Sequence, residues 1–390
     1  MYLIFGYVSA LSLRFLFNRN RIDGSYPEDV IENLCSYDRT APSKTRNLLL
    51  LIMLSPTPHL SHANPIPDAC GHDMHVTCAL AATHTLLSSR SLWSGTLITL
   101  FQPAEERGSG AQAMINSGLY APDKHACPIP DVVLGQHVFP FRSGTVHTKA
   151  GPVMSAADSF RITIFGRGGH GSMPHRCIDP VVIASHIVVR LQSIVSREVP
   201  PDETAVVTVG ALQAGDTENI ISDTAVLKIN IRTVSEIWRT RILESVTRIV
   251  NAECEIGRCP KPAEIVPTSR FPLTVNDGET VGRLEEAFDK HFGDGNEDGI
   301  VDGHKKNMNN VLGSEDFGIL ATAIGKPYAF WFWGGTDPEL WDRYEKEGRL
   351  DEVPVNHSPF FAPCVQPTLT VGVDALVVGA LTFLGKETAS

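Results

Sequence analysis

Between residues 76 and 137, unbroken apolar runs alternate with stretches of helical spacing, and this alternation restricts the folds open to the chain. Residues 76–89 carry helical spacing and good helix formers. Residues 96–101 form a short apolar run suited to a buried strand. Residues 108–118 read as a helix closed by a glycine, and 131–137 as a second apolar strand. Strands and helices in this order predict an α/β domain with a central, mostly parallel sheet.

Near Gly151-Pro152 the pattern changes. Residues 159–165 alternate like a half-exposed strand. Residues 179–196 are strongly helical, with Asp179 placed as N-cap and Pro180 in the first turn. Strands are expected at 204–212 and 225–231, and a second amphipathic helix at 235–251. Two helices interleaved with about four strands predict an α+β sandwich, one sheet with both helices on one face. It reads as an insertion, because Glu315-Asp-Phe, a strand-like run at 328–333 and His357-Ser-Pro follow it. The expected division is an atypical segment at 1–67, a catalytic domain in two pieces at 68–152 and 263–390, and an inserted lid at 153–262. The stretch 294–303, rich in Gly, Asp and Asn, reads as a solvated loop.

The 390 residues are 43% apolar and 20% charged, enough to bury a large core. The formal net charge is −11, and no basic run or zinc-finger spacing occurs, so nucleic acid is excluded as the expected partner. Eight cysteines scattered over so long a chain do not make a disulfide scaffold. Residues 1–13 and 47–54 are apolar runs without the charged start of a secretory signal, and the second is too short to span a bilayer. Both are expected to be a buried strand or helix. The expectation is an unanchored, cytoplasmic protein.

Chemistry-bearing residues concentrate in the first domain. Cys70-Gly-His72-Asp-Met-His75 is followed thirty residues later by Gln102-Pro-Ala-Glu105-Glu106. If residues 70–72 are extended, the Cys70 thiolate and His72 imidazole project to one side, as a divalent metal requires. Adjacent glutamates diverge, so one can ligate while its neighbour faces a reacting water. His137 closes a strand and His357 lies in a loop, both reachable only if the fold brings them back. Each member has an ordinary alternative: a Glu-Glu pair is usually surface charge, and a lone buried Cys or His is usually packing. His75 could share a face with His72 but reads as structural. A second cluster, Gly166-Arg-Gly-Gly-His170-Gly-Ser-Met-Pro-His175, lacks the Lys-Ser/Thr of a phosphate loop and reads as a tight turn, either bare or presenting His170 to an anion.

Taken together, ACGHDMH, GTLITLFQPAEERGSGAQAMI, LGQHV, KAGPVMSAADSFRITIFGRGGHGSMPH, AGDTENIIS, GSEDF and NHSPFF resemble one family. It is the metal-dependent amidohydrolase and peptidase family of hippurate hydrolase, N-acyl-amino-acid hydrolases and auxin-conjugate hydrolases, and WFWGGTDPELWDRYEKEG is similar to a fungal variant. The resemblance implies a two-domain metallohydrolase that cleaves the amide bond of N-acyl amino acids. It implies two divalent metal ions, zinc or manganese, with cobalt or nickel also used in the family. Cys70 would be shared between them, with His72, Glu106, His137 and His357 completing the set. Glu105 would be the general base towards water held at the metals. His170 would stabilise the oxyanion or bind the substrate carboxylate, across a homodimer formed through the lid. Asn219 and Arg232 would contact the carboxylate, and Asp73 would orient a histidine ligand.

The chain departs from the family upstream of Cys70. No segment like RADMDALP occurs there, and only 69 residues precede the motif. The expectation is that part of the central sheet is lost or replaced, leaving an unpaired edge. Two rival readings follow: a metallo-dipeptidase or aminopeptidase of the same family, and an inactive dimeric remnant.

Overall fold

The structure is a computed structural model that describes residues 2–3, 47–53, 60–61, 64–65, 70–295 and 302–386. The chain divides into two compact units. The first comprises Met1–Val153, Val275–Asn309 and Asp316–Ser390; the second comprises Met154–Thr274 and Asn310–Glu315.

The first unit is built on a seven-stranded sheet. Its strands are Tyr2–Leu3, β1 (Asn47–Met53), β2 (Thr96–Gln102), β3 (Val132–Arg142), β4 (Thr145–His147), β5 (Gly303–Lys305) and β6 (Tyr328–Thr336). Their order across the sheet is Tyr2–Leu3, β2, β1, β3, β6, β4, β5, and only the β6/β4 pair is antiparallel. Every residue of β2 and β6 is buried, as in a parallel sheet covered on both faces. Helices α1 (His72–Ser88) and α2 (Thr368–Leu384) pack together over it. Cys78, Ala79, Ala82 and Leu86 supply one side of that contact at helical spacing, and Val371, Ala375, Leu376 and Phe383 the other. Trp331 and Trp333 fill the space beneath, and each indole is satisfied. Trp331 Nε1–H donates to Gln136 Oε1 at 2.9 Å and Trp333 Nε1–H to the Thr368 carbonyl at 3.1 Å.

The upstream segment answers the expected deficit directly. Asn47–Met53 runs parallel to β2 along its whole length and pairs with β3 on its other side. The Asn47 backbone N–H donates to Asp131 Oδ2 at 2.8 Å, fixing the register with the start of β3. The sheet therefore has a strand between β2 and β3 and no unpaired edge there. Most of the 1–67 segment, including the apolar run after Leu3, lies outside the described residues, as does 296–301 of the loop expected at 294–303.

The second unit is a four-stranded antiparallel sheet with two helices. Strands β7 (Ala156–Phe165), β8 (Ala205–Ala214), β9 (Thr224–Thr233) and β10 (Glu264–Phe271) stand in the order β8, β9, β7, β10. Alternate residues Ala225, Leu227, Ile229 and Ile231 are buried under helices α3 (Pro180–Ser193) and α4 (Glu236–Ile256). Asp179 caps α3 by accepting from Val181 N–H at 2.9 Å, with Pro180 at the first position. Arg239 and Asp158 form a buried bidentate pair at 2.7 and 3.0 Å. Because β10 belongs to this sheet, the unit runs past Pro262, where the sequence suggested that the insertion ends.

Candidate metal centre

A turn, a helix start, a strand and a loop converge on Cys70. Gly71 has φ +84°, a left-handed conformation that glycine adopts without strain. It turns the chain sharply from Cys70 into α1, so residues 70–72 are not extended as the sequence suggested. His72 is instead the first helical residue. Cys70 and His72 still meet, because the helix start folds back towards the turn.

The glutamates arrive from the end of β2. Ala104 is left-handed (φ 50°), and Glu105–Arg107 form one 3₁₀ turn. The buried Asp316 holds this turn in place. Its carboxylate accepts from Gln102 Nε2–H and from the Ala111 backbone N–H. The Glu315-Asp-Phe motif is visible in the sequence, but the partner that Asp316 anchors is not. His72 Nε2 lies 3.7 Å from Glu105 Oε2, and His72 Nδ1 lies 3.9 Å from Glu106 Oε1. Glu105 is buried and Glu106 half-buried, and each carboxylate approaches a different nitrogen of the one His72 ring.

His137 comes from the middle of β3. Its Nδ1 is 2.6 Å from the Val138 carbonyl, an acceptor only, so Nδ1 carries the proton. That leaves the Nε2 lone pair facing Cys70 Sγ at 3.4 Å. His357 reaches the same sulfur from a loop, with Nε2 at 3.6 Å, in a left-handed backbone conformation (φ 67°). Asn356 ties that loop down. Its Nδ2 donates to the Cys70 carbonyl at 3.1 Å and the Val138 carbonyl at 3.2 Å. Asn356 is adjacent to a candidate ligand in sequence, but nothing in the motif shows that its amide spans two elements.

Two sets of donor atoms result: Cys70, His72 and His137, and Cys70, Glu106 and His357. Within each set the atoms lie within 4.8 Å of one another. The donor chemistry fits metal. Four ligands at about 2.0–2.3 Å around a tetrahedral ion stand about 3.3–3.8 Å apart, and the two sulfur–nitrogen distances of 3.4 and 3.6 Å fall in that interval. Cys70 is the member common to both sets.

His75 and Asp73 do other work. His75 Nε2 accepts the Val138 backbone N–H at 3.0 Å, so this imidazole satisfies a buried strand donor. Burial, followed by the neighbouring charges of His137 and His72, holds its pKa well below the ordinary histidine value. Asp73 is exposed, and its Oδ1 accepts from the Met74 backbone N–H at 2.8 Å. Among the described residues it makes no hydrogen bond to a histidine. At the helix N-terminus its charge instead suits the dipole.

The remaining expected residues belong to the second unit. His170 pairs with Ile220 in a two-residue antiparallel ladder, and Gly171 N–H donates to the Asn219 carbonyl at 2.8 Å. His170 and Asn219 are thus neighbours. Arg232 is not near them. It lies at the far end of β9, roughly 26 Å of strand beyond Thr224. Its guanidinium donates to the Leu312 carbonyl at 2.6 Å and to Asn230 Oδ1 at 3.0 Å.

A mostly parallel α/β unit bearing this donor set, interrupted in sequence by an α+β unit, defines a two-part hydrolase architecture. The model for peptidase family M20/M25/M40 matches residues 57–347, and the chain belongs to that family, whose members cleave amide bonds. The chain is 36% identical to the hippurate hydrolase of Campylobacter jejuni over 70% of its own length and 67% of that protein's. It is 31% identical to the N-acetyl-L-cysteine deacetylase of Bacillus subtilis over 78% and 68% respectively. It thus spans about two thirds of the length of these relatives. A dinuclear metal binding peptidase of the M20 family from Bacillus subtilis shares the fold, with a TM-score of 0.62 at 23% identity over 87% of this chain and 82% of that one. No helix among the described residues is long and apolar enough to cross a membrane.

Proposed function

We propose that the chain hydrolyses the amide bond of N-acyl amino acids of the hippurate type. The observation that carries this reading is the single thiol, Cys70, lying in both donor sets, with the buried Glu105 carboxylate 3.7 Å from His72 of the first set. Cys70, His72, Glu106, His137 and His357 would hold two divalent ions, and thiolate with imidazole favours zinc on softness, with manganese, cobalt and nickel as alternatives. When bound, the ions supply Lewis acidity and lower the pKa of water. Glu105 takes one proton from the attacking water, the C–N bond breaks, and the same carboxyl passes that proton to the leaving amine nitrogen. The name of the Campylobacter relative supports the substrate class.

The test is benzoate release from hippurate by the purified chain loaded with Zn or Mn, beside a panel of other acyl amino acids and dipeptides. Glu105→Gln should retain metal and lose about 10²–10⁴-fold in kcat. A Glu105→Gln enzyme as active as the parent, or a parent with no metal-dependent turnover, would sink the assignment. Turnover confined to dipeptides would make the chain a peptidase instead.

A homodimer completes the proposal. If His170 with Asn219 and Arg232 all touch substrate, the length of β9 prevents one copy of the second unit from supplying both ends to a small molecule. One contact then comes from a partner copy. Mixed dimers of His170→Ala and Arg232→Ala should recover activity that neither variant has alone. No recovery from a verified mixed dimer would remove this arrangement.

A further inference from the structure

Helix α4 ends in a turn that places two cysteines against each other. Arg258 is left-handed (φ 59°) just past the last helical turn. Cys259 N–H donates to the Cys254 carbonyl at 2.9 Å, and Arg258 N–H to the Glu255 carbonyl at 3.0 Å. This pair of nested bonds is the Schellman arrangement, which frequently brings the side chains of its first and last residues into contact. Here those residues are Cys254, buried in the core of the second unit, and Cys259, half-exposed and packed on the same core. Summing the N–Cα bond, the 2.9 Å hydrogen bond and the carbonyl oxygen-to-Cα distance puts the two Cα atoms no more than about 6.8 Å apart, within the span a disulfide covers.

We propose that Cys254 and Cys259 are a reversible dithiol–disulfide site, oxidised by low-molecular-weight disulfides of the glutathione class. The half-exposed Cys259 is the entry point. Its thiolate attacks the small disulfide, forming a mixed disulfide and releasing one thiol. Cys254 then loses its proton, attacks Cys259 Sγ and expels the second thiol. Two protein S–H groups and one small disulfide become one protein disulfide and two small thiols. Burial, and then a side-chain hydrogen bond with Cys259, hold the Cys254 thiol up at about 12. That suits the order of attack, since Cys254 is a poor nucleophile towards solvent and meets only the sulfur already beside it. The bond would fasten the end of α4 to the segment leading into β10. The site is separate from the donor residues of the first unit, and it stands whether or not the chain hydrolyses acyl amino acids.

The test uses the full chain equilibrated in reduced and oxidised glutathione at graded ratios, quenched with iodoacetamide and digested with trypsin without reduction. Trypsin cuts after Arg248, Arg258 and Arg270, so the disulfide appears as peptides 249–258 and 259–270 joined together. The expected result is that joined pair, rising as the ratio becomes more oxidising and lost on adding dithiothreitol. Melting of the wild-type chain should rise by a few degrees on oxidation, and Cys259→Ser should show no such rise. Both cysteines remaining alkylated at the most oxidising ratio would overturn the proposal. So would glutathione retained on Cys259 without a joined peptide.

Discussion

At the residue scale, the most informative atom is Cys70 Sγ. It stands 3.4 Å from His137 Nε2 and 3.6 Å from His357 Nε2, and it is the one donor that both sets share. The two positions should therefore respond differently to substitution. Cys70→Ser is expected to lower metal content at both positions, because a neutral hydroxyl replaces a thiolate. His357→Ala should deplete only the position it shares with Glu106. Inductively coupled plasma mass spectrometry on chains dialysed against limiting metal would separate the two patterns, and equal loss from both variants would count against a shared sulfur. The sequence made the donor types legible, since Cys70, His72, Glu105, Glu106, His137 and His357 could all be singled out by chemistry and motif. It did not disclose how they meet. The left-handed Gly71 reverses the expected extended geometry, and the carbonyl of Val138 sets the tautomer of His137 through a backbone contact that leaves no side-chain signature.

At the element scale, the contact between α1 and α2 is close because one residue has no side chain. A Cβ on Gly372 would lie 2.7 Å from Cys78 Sγ and 2.9 Å from the Trp333 ring, all of them buried in a packed core. Alanine is the better helix former, but the neighbours are a second helix and a large indole with little room to yield. Gly372→Ala should therefore destabilise by about 1–3 kcal/mol, measured by urea unfolding of the metal-free chain. A gain in stability would show that helix propensity outweighs the clash. Strands and helices with regular burial were legible in outline, as residues 96–101 and 225–231 show. Their limits were set by tertiary pairing. Strand β10 lies in the sheet of the second unit because its backbone pairs with β7, and no change in composition marks that at Pro262. Asn47–Met53 reads only as an apolar run, and its place between β2 and β3 depends on partners 49 or more residues away. The closeness of Cys254 and Cys259 is likewise a product of the left-handed Arg258, which sequence spacing alone does not announce.

At the scale of the whole molecule, titratable histidines are distributed unequally between the two units. The first unit buries His75 and His304 and half-buries His147, whereas His170, His175 and His186 of the second are exposed. Burial, then the charges of Lys305 and His304, push His147 down to about 3. Burial also lowers His304, against the pull of Asp289 at 2.7 Å. A histidine kept neutral in the fold takes up a proton once unfolded, where its pKa is near 6.5. The unfolded chain therefore binds more protons at every pH between that value and the folded pKa. Stability is full above about 6.5 and falls as pH drops through the window, which for His147 extends to about 3. By pH 5.5 His147, held near 3 in the fold, removes roughly 1.4 kcal/mol. The loss belongs to the first unit alone, so the metal-free chain should not respond uniformly. Hydrogen exchange compared at pH 7.5 and 5.5, corrected for intrinsic rates, should show α1, α2 and β3 losing protection while α3 and α4 keep theirs. His147→Gln should reduce the effect in the first unit without changing the second. Equal loss of protection in both units would mean that acid sensitivity arises elsewhere, and that the buried histidines do not set it.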